Sequence, residues 1–273
     1  MTDVSNHLFD TIDRQNSHES AATRRQLIKG TTAALAGAGV LSLATGVGPA
    51  AAAVKTDPDN SVENILAVAA TAEVLATIVN TLGPELLGNK LDATTARNIR
   101  AAAQQEKNHY ELLTSAGVGG KAVTTSIHVP DEVFSSPTAL LTTLAVGDQV
   151  FVNAYLLGVT VFARQGTISG SKFARYAAEI MAVESVHRAL ALQSLGKLGN
   201  DRQYAKFAQR EATPGLPTTG LPGFYKILDA VGVLESAGFG FGKAGSKPGK
   251  LYDYATVSAR TPTDPGVNTL TIS

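Results

Sequence analysis

The chain has 273 residues, with 23 Lys and Arg against 23 Asp and Glu, and no cysteine or tryptophan. A formal net charge of zero argues against a nucleic-acid binder and against electrostatic attachment to acidic membranes. The missing cysteines exclude disulfides, thiolate metal sites and cysteine nucleophiles, and an aromatic share of 6% suits closely packed Ala-rich helices better than a sheet core.

Residues 1–23 are polar, mixed in charge and without apolar period, and read as disordered. Next comes Thr23-Arg24-Arg25-Gln26-Leu27-Ile28-Lys29. A paired arginine, an apolar pair and a lysine resemble the twin-arginine export signal. Residues 31–47 are uncharged and rich in Ala, Gly and Leu, too short and too weakly apolar for a membrane span, which needs about 20 residues. Ala51-Ala52-Ala53 offers a small-x-small cleavage site, so the mature chain is expected to begin near Val54. An uncleaved N-terminal anchor is the alternative. The signal implies passage through the twin-arginine export machinery to the periplasm, the cell envelope or the extracellular space.

A short Pro- and Asp-containing linker (54–60) leads into four long stretches of helical period. The first, 61–82, carries Ile65, Ala69, Ala72, Ala76 and Val79 on its apolar face and Glu73 at that face's edge. Gly83-Pro84 is expected to end it. The second starts under an Asp92 cap and continues to about residue 115, with Ile99, Ala102, Ala103, Glu106, His109 and Leu113 on one stripe. Residues 116–135 hold Gly117, Gly119, Gly120 and Pro130 and show no helical period. A loop this long is unusual in a compact domain unless it has a task. His128 lies within it and reads as a surface histidine rather than a third imidazole ligand.

The third helix opens at Ser135-Ser136-Pro137, a cap followed by Pro in the first turn, and runs to about residue 165. Leu141, Leu144, Asp148, Val152, Tyr155 and Val159 share a face. An unpaired Asp on such a face is costly to bury, which makes Asp148 informative. The fourth, about 169–195, has Ala177, Ile180, Val183, Glu184, His187 and Ala191 on its inner stripe. A short helix at about 201–210 is expected next. Pro214, Pro217 and Pro222 then break structure, one more helix is expected within 223–235, and 238–249 is Gly-rich.

Two runs stand out, Glu106-Lys107-Asn108-His109 and Glu184-Ser185-Val186-His187. At a spacing of three, the carboxylate and the imidazole lie on one helix face, one turn apart, so a single helix can offer two ligands to one metal centre. Glu73 and Asp148 precede them on the first and third helices, giving two hairpins that each carry an acid and then Glu-x-x-His.

This pattern resembles the ferritin-like superfamily, most closely the secreted ferritin-like domain family that includes desiccation-related proteins, over roughly residues 60–210. The resemblance implies an all-α fold: a ferritin-like four-helix bundle across 54–210, with 116–135 as its one long crossover. Before it lies a disordered n-region and signal peptide (1–53), and after it a Pro/Gly-rich C-terminal extension with a short helix (211–273). It also implies two metal ions, iron or manganese, and reaction with oxygen or peroxide. Glu73, Glu106 and His109 would serve one ion and Asp148, Glu184 and His187 the other, with Glu106 and Glu184 as bridges. Metal ions, small oxygen species and the export machinery are the implied partners, and a homo-oligomer is compatible with this reading. Export after folding suits a protein that loads its metal inside the cell.

Charge balance supports this expectation. Burying each unpaired charge costs several kcal/mol, and four would exceed the stability of an ordinary domain, about 5–15 kcal/mol. Two divalent cations balance four carboxylates; protonation or a wet pocket are the alternatives. Asp148 departs from the family pattern, which has Glu there, and its shorter arm is expected to hold the second metal less firmly. The competing expectation is a metal-free bundle with a structural or binding role in stress or desiccation. Tyr110 and Tyr155 lie near the acids in helical phase and are expected to be core tyrosines with satisfied hydroxyls.

Overall fold

The computed structural model describes residues 60–201, 224 and 226–263. The expected export signal and cleavage site, nearly all of the linker, residues 202–210 of the expected short helix, and Pro214, Pro217 and Pro222 lie outside the described residues.

Four long helices make the body of the fold: α1 (Val62–Leu87), α2 (Ala93–Thr114), α3 (Pro137–Arg164) and α4 (Ile168–Ser194). Each starts under a side-chain cap. Ser61, Asp92, Ser136 and Thr167 accept hydrogen bonds from the backbone N–H of Asn64, Thr95, Ala139 and Gly170. Such caps contribute about 1 kcal/mol each, and they fix where each helix begins and so the phase of everything after it. α1 pairs with α2 and α3 with α4, while α1 meets α3 and α2 meets α4 across the interior. The result is a four-helix bundle with a long crossover between its hairpins. α1 and α3 are long and apolar enough to cross a membrane, yet the most apolar window of α1 is 89% buried inside the bundle. Its hydropathy is that of a core helix enclosed on most sides.

α1 does not stop at Gly83-Pro84 as expected. It carries Pro84 inside its last turn and ends at Gly88, whose N–H returns to the Pro84 carbonyl. Gly83 serves a close approach instead: a Cβ there would lie 2.7 Å from Leu140 Cδ2. Burial of Leu82, Gly83, Pro84 and Leu87 holds the extra turn despite the missing proline N–H.

The crossover contains a strand, β1 (Ser126–Pro130), followed by a 3-10 turn at Asp131–Phe134. After the bundle come α5 (Ile227–Ser236), β2 (Gly240–Phe241), β3 (Gly249–Asp253) and α6 (Tyr254–Ser258). β1 is the middle strand of a small antiparallel sheet, flanked by β2 and β3. Ile127 stands opposite Phe241 on one side and Tyr252 on the other. The C-terminal extension is thus stitched to the crossover, a pairing the helical periodicities did not announce.

Here the structure corrects the reading of His128. It is buried, 6% exposed, and its Nε2 lies 2.9 Å from the Lys247 carbonyl. It takes no part in a metal cluster among the described residues. The glycines of 238–249 explain the burial: a Cβ at Gly245 would lie 2.7 Å from His128 Cδ2, and one at Gly249 would lie 2.8 Å from its Nε2. Only glycine lets that backbone close over the ring. Further ties fasten the extension to the α1–α2 hairpin. The Tyr110 and Tyr254 rings pack 4.5 Å apart, Thr81 and Thr261 share a 2.9 Å hydrogen bond, and Arg260 grips Glu85.

Candidate metal centre

The four long helices turn their polar exceptions inward at one level. Glu73 comes from α1, Glu106 and His109 from α2, Asp148 from α3, and Glu184 and His187 from α4. Glu73, Glu106 and Glu184 are wholly buried and Asp148 is 5% exposed. The phase set at each cap brings them together: helical spacing of three puts each imidazole one turn from its own glutamate, on the same face.

They form two groups that share members. One ligand atom from each of Glu73, Glu106, His109 and Glu184 lies within 4.8 Å of the others, and the same holds for Glu106, Asp148, Glu184 and His187. Glu106 and Glu184 belong to both, and their oxygens divide accordingly. Glu106 Oε2 lies 3.2 Å from His109 Nδ1, while its Oε1 lies 3.0 Å from His187 Nδ1. Glu184 Oε1 lies 3.4 Å from His109 Nδ1, and its Oε2 lies 3.6 Å from His187 Nδ1. Glu73 Oε2 completes the first group at 3.4 Å from His109 Nδ1.

Most of these atoms converge without bonding one another. Glu73 Oε2, Glu106 Oε1, Asp148 Oδ2, both Glu184 oxygens and His187 Nδ1 are buried and have no hydrogen-bond partner. Glu106 Oε1 and His187 Nδ1 are the telling pair, since at 3.0 Å they are close enough to bond but lack the alignment for it. Orphaned buried acceptors are rare in folded proteins because each costs about 1–3 kcal/mol. Here they crowd round two centres, as lone pairs do around cations.

The surroundings are built to hold these orientations. Tyr155 donates its hydroxyl hydrogen to Glu73 Oε1, leaving Oε2 to face His109. Gln105 Oε1 accepts from His187 Nε2 at 2.7 Å, which turns Nδ1 toward the acids, where it holds a second proton or, once that proton leaves, offers its lone pair. The sequence reading placed Tyr155 nearby but missed Gln105, whose only signal was its position beside Glu106. Tyr110 packs on Tyr254 instead. Thr77, one turn after Glu73, also buries a hydroxyl without a hydrogen-bond partner.

In a metal-free form of the cluster, protons would do the balancing. Burial pushes the Glu73 carboxyl well above its usual range, with Glu106 adding to the effect; burial and then Glu184 do the same to Asp148. Burial alone would depress both imidazoles, but the charge of Glu73 beside His109 and of Glu106 beside His187 holds them well above the ordinary histidine value. Burial also works against ionised Glu106, yet His187 and His109 outweigh it and keep this carboxylate charged far into acid. Burial and Glu73 keep the Tyr155 phenol protonated. The cluster therefore stores protons that a metal would displace.

A family model described as a ferritin-like domain matches residues 3–197, well over half of the chain. No curated protein and no solved structure matches it.

Proposed function

Since the chain belongs to the ferritin-like domain family, we propose that its interior cluster holds two divalent metal ions, iron or manganese, and that the exported protein reacts there with oxygen or peroxide. The observation that carries this reading is the set of buried, unpartnered oxygen and nitrogen atoms arranged in two groups with Glu106 and Glu184 in common. Glu73 and His109 would hold one ion and Asp148 and His187 the other, with the two shared glutamates between them. When bound, such ions supply Lewis acidity and redox change toward a small oxygen species.

The chain's own residues supply the rest. Carboxylate and imidazole donors without thiolate suit iron or manganese, although raw affinity would favour copper or zinc. Tyr155 and Gln105 orient Glu73 and His187. The helix walls keep bulk water from the three glutamates. Protons on Glu73, Asp148 and the imidazoles leave as metal enters, so the site exchanges one positive charge for another. Arg24 and Arg25 would direct the folded, loaded protein out of the cytoplasm.

Anaerobic titration of metal-free protein with Fe(II) or Mn(II) tests the reading, together with elemental analysis of protein from its native compartment. Two ions per chain, and oxygen uptake by the Fe(II)-loaded form, are expected. If no metal binds, the alternative takes its place: a metal-free bundle with a protective or binding role in stress or desiccation.

A further inference from the structure

We propose that the C-terminal extension completes a binding site for a neutral, largely apolar small molecule, seated against the Asp148 side of the metal centre. A cavity of about 470 Å³ lies between α1, α3 and the extension. This is within the range of small-molecule sites, and at ~30 Å³ for each water-sized group it admits roughly fifteen heavy atoms. Leu75 and Val79 of α1, Phe151 of α3, and Leu234 and Phe239 of the extension form its apolar walls. Without α5 and the turn after it, this space would be an open face of the bundle.

Three observations give the cavity a direction and a chemistry. Asp148 lines it and also lines a separate gap of about 20 Å³ shared with His187, so one carboxylate stands between the cavity and the metal cluster. Its Oδ2 is buried and unpartnered. Gly147 also lines the cavity, and a Cβ added there meets nothing within 4 Å. A glycine in mid-helix weakens the helix, and here it leaves the space open. Lastly, Lys247 is the one cation among the described lining residues, and Glu132 already holds it at 3.1 Å. No other basic side chain lines the cavity among the described residues, so a carboxylate or phosphate head has no free counter-charge to meet, whereas a neutral chain or alcohol needs none.

The proposal deepens the metal reading and rests on it only for what the ligand finds at Asp148, so the two are tested apart. Binding of 1-decanol and of decanoate to the full exported protein is measured by calorimetry, metal-free and loaded with Co(II), whose visible absorption reports its surroundings. The expected result is one decanol per chain, decanoate at least tenfold weaker, and a change in the Co(II) spectrum when decanol binds. Gly147→Leu should weaken decanol at least tenfold while Co(II) still binds. If that variant lacks the wild-type melting transition, Ala237→Trp, at an exposed position on the wall that the extension supplies, is read instead. No decanol binding in wild type, or unchanged binding in the filled variant, overturns the site. Decanoate binding as tightly as decanol overturns the neutral class, and an unchanged Co(II) spectrum overturns the placement beside the metal. Decanol binding without Co(II) binding would remove the metal reading and leave the pocket standing.

Discussion

Gln105 Oε1 and His187 Nε2 are joined by a 2.7 Å hydrogen bond that reaches from α2 to α4 and fixes which nitrogen of the imidazole faces the buried acids. Because the amide oxygen can only accept, Nε2 keeps its proton, and Nδ1 stands beside Glu106 as the nitrogen that gives up its proton when a metal takes the lone pair. Gln105→Ala should therefore weaken metal binding about 10–100-fold, the usual cost of losing a partner that orients a ligand. The loss should fall on one of two binding steps, the one His187→Ala abolishes. Equal weakening of both steps, or none, in an anaerobic Fe(II) titration would show that Gln105 does not set the ring.

The two half-sites should respond to different variants. Tyr155 holds Glu73, so Tyr155→Phe acts on the half that contains His109. It leaves Glu73 Oε1 unpaired, and metal-free protein should lose about 1–3 kcal/mol of stability by chemical denaturation. Asp148 belongs to the other half. Asp148→Glu should tighten the weaker binding step, since one more methylene lets the carboxylate reach without drawing α3 inward. Two equal, tight steps in the wild-type titration would contradict the weak half-site.

Metal affinity should rise with pH. Glu73, Asp148, His109 and His187 all have raised proton affinity in the metal-free cluster, so protons occupy the positions that metal needs. Lowering pH adds competitor and weakens metal; raising it removes competitor and strengthens metal. Calorimetry in buffers of different ionisation heat should find more than one proton released per chain on loading. Zero net release would mean that the cluster is already deprotonated and wet.

Export should depend on Arg24 and Arg25, which stand before the uncharged, weakly apolar stretch 31–47. With both changed to Lys, the processed protein should disappear from the exported fraction and accumulate inside the cell. N-terminal sequencing of exported wild type should begin near Val54; an intact Met1 there would point to an anchor instead. Unaltered export of the double variant would remove the twin-arginine assignment.

What the sequence by itself determined was local. Ser136-Pro137 and Asp92 mark helix starts because a cap needs only its next three residues. The Glu-x-x-His runs are legible because a spacing of three is one turn on any helix, and the apolar stripe then says which way that turn faces. The missing helical period marked 116–135 as a long loop, and the family resemblance made that loop the expected crossover. Pro84 misled because its effect depends on the burial around the last turn of α1, which no local pattern carries.

Only the tertiary structure decided the rest. β1 takes its partners from residues 240–241 and 249–253, so neither the sheet nor the burial of His128 could be read from either segment alone. The glycines of the extension looked like a flexible run, and are in fact the space His128 needs. Gln105 carried no motif, and its meaning lies in one hydrogen bond across the bundle. Which glutamate oxygen faces which imidazole follows from how four helices settle against each other. That is set by packing over long separations, where a side chain's role depends on neighbours the adjacent sequence does not name.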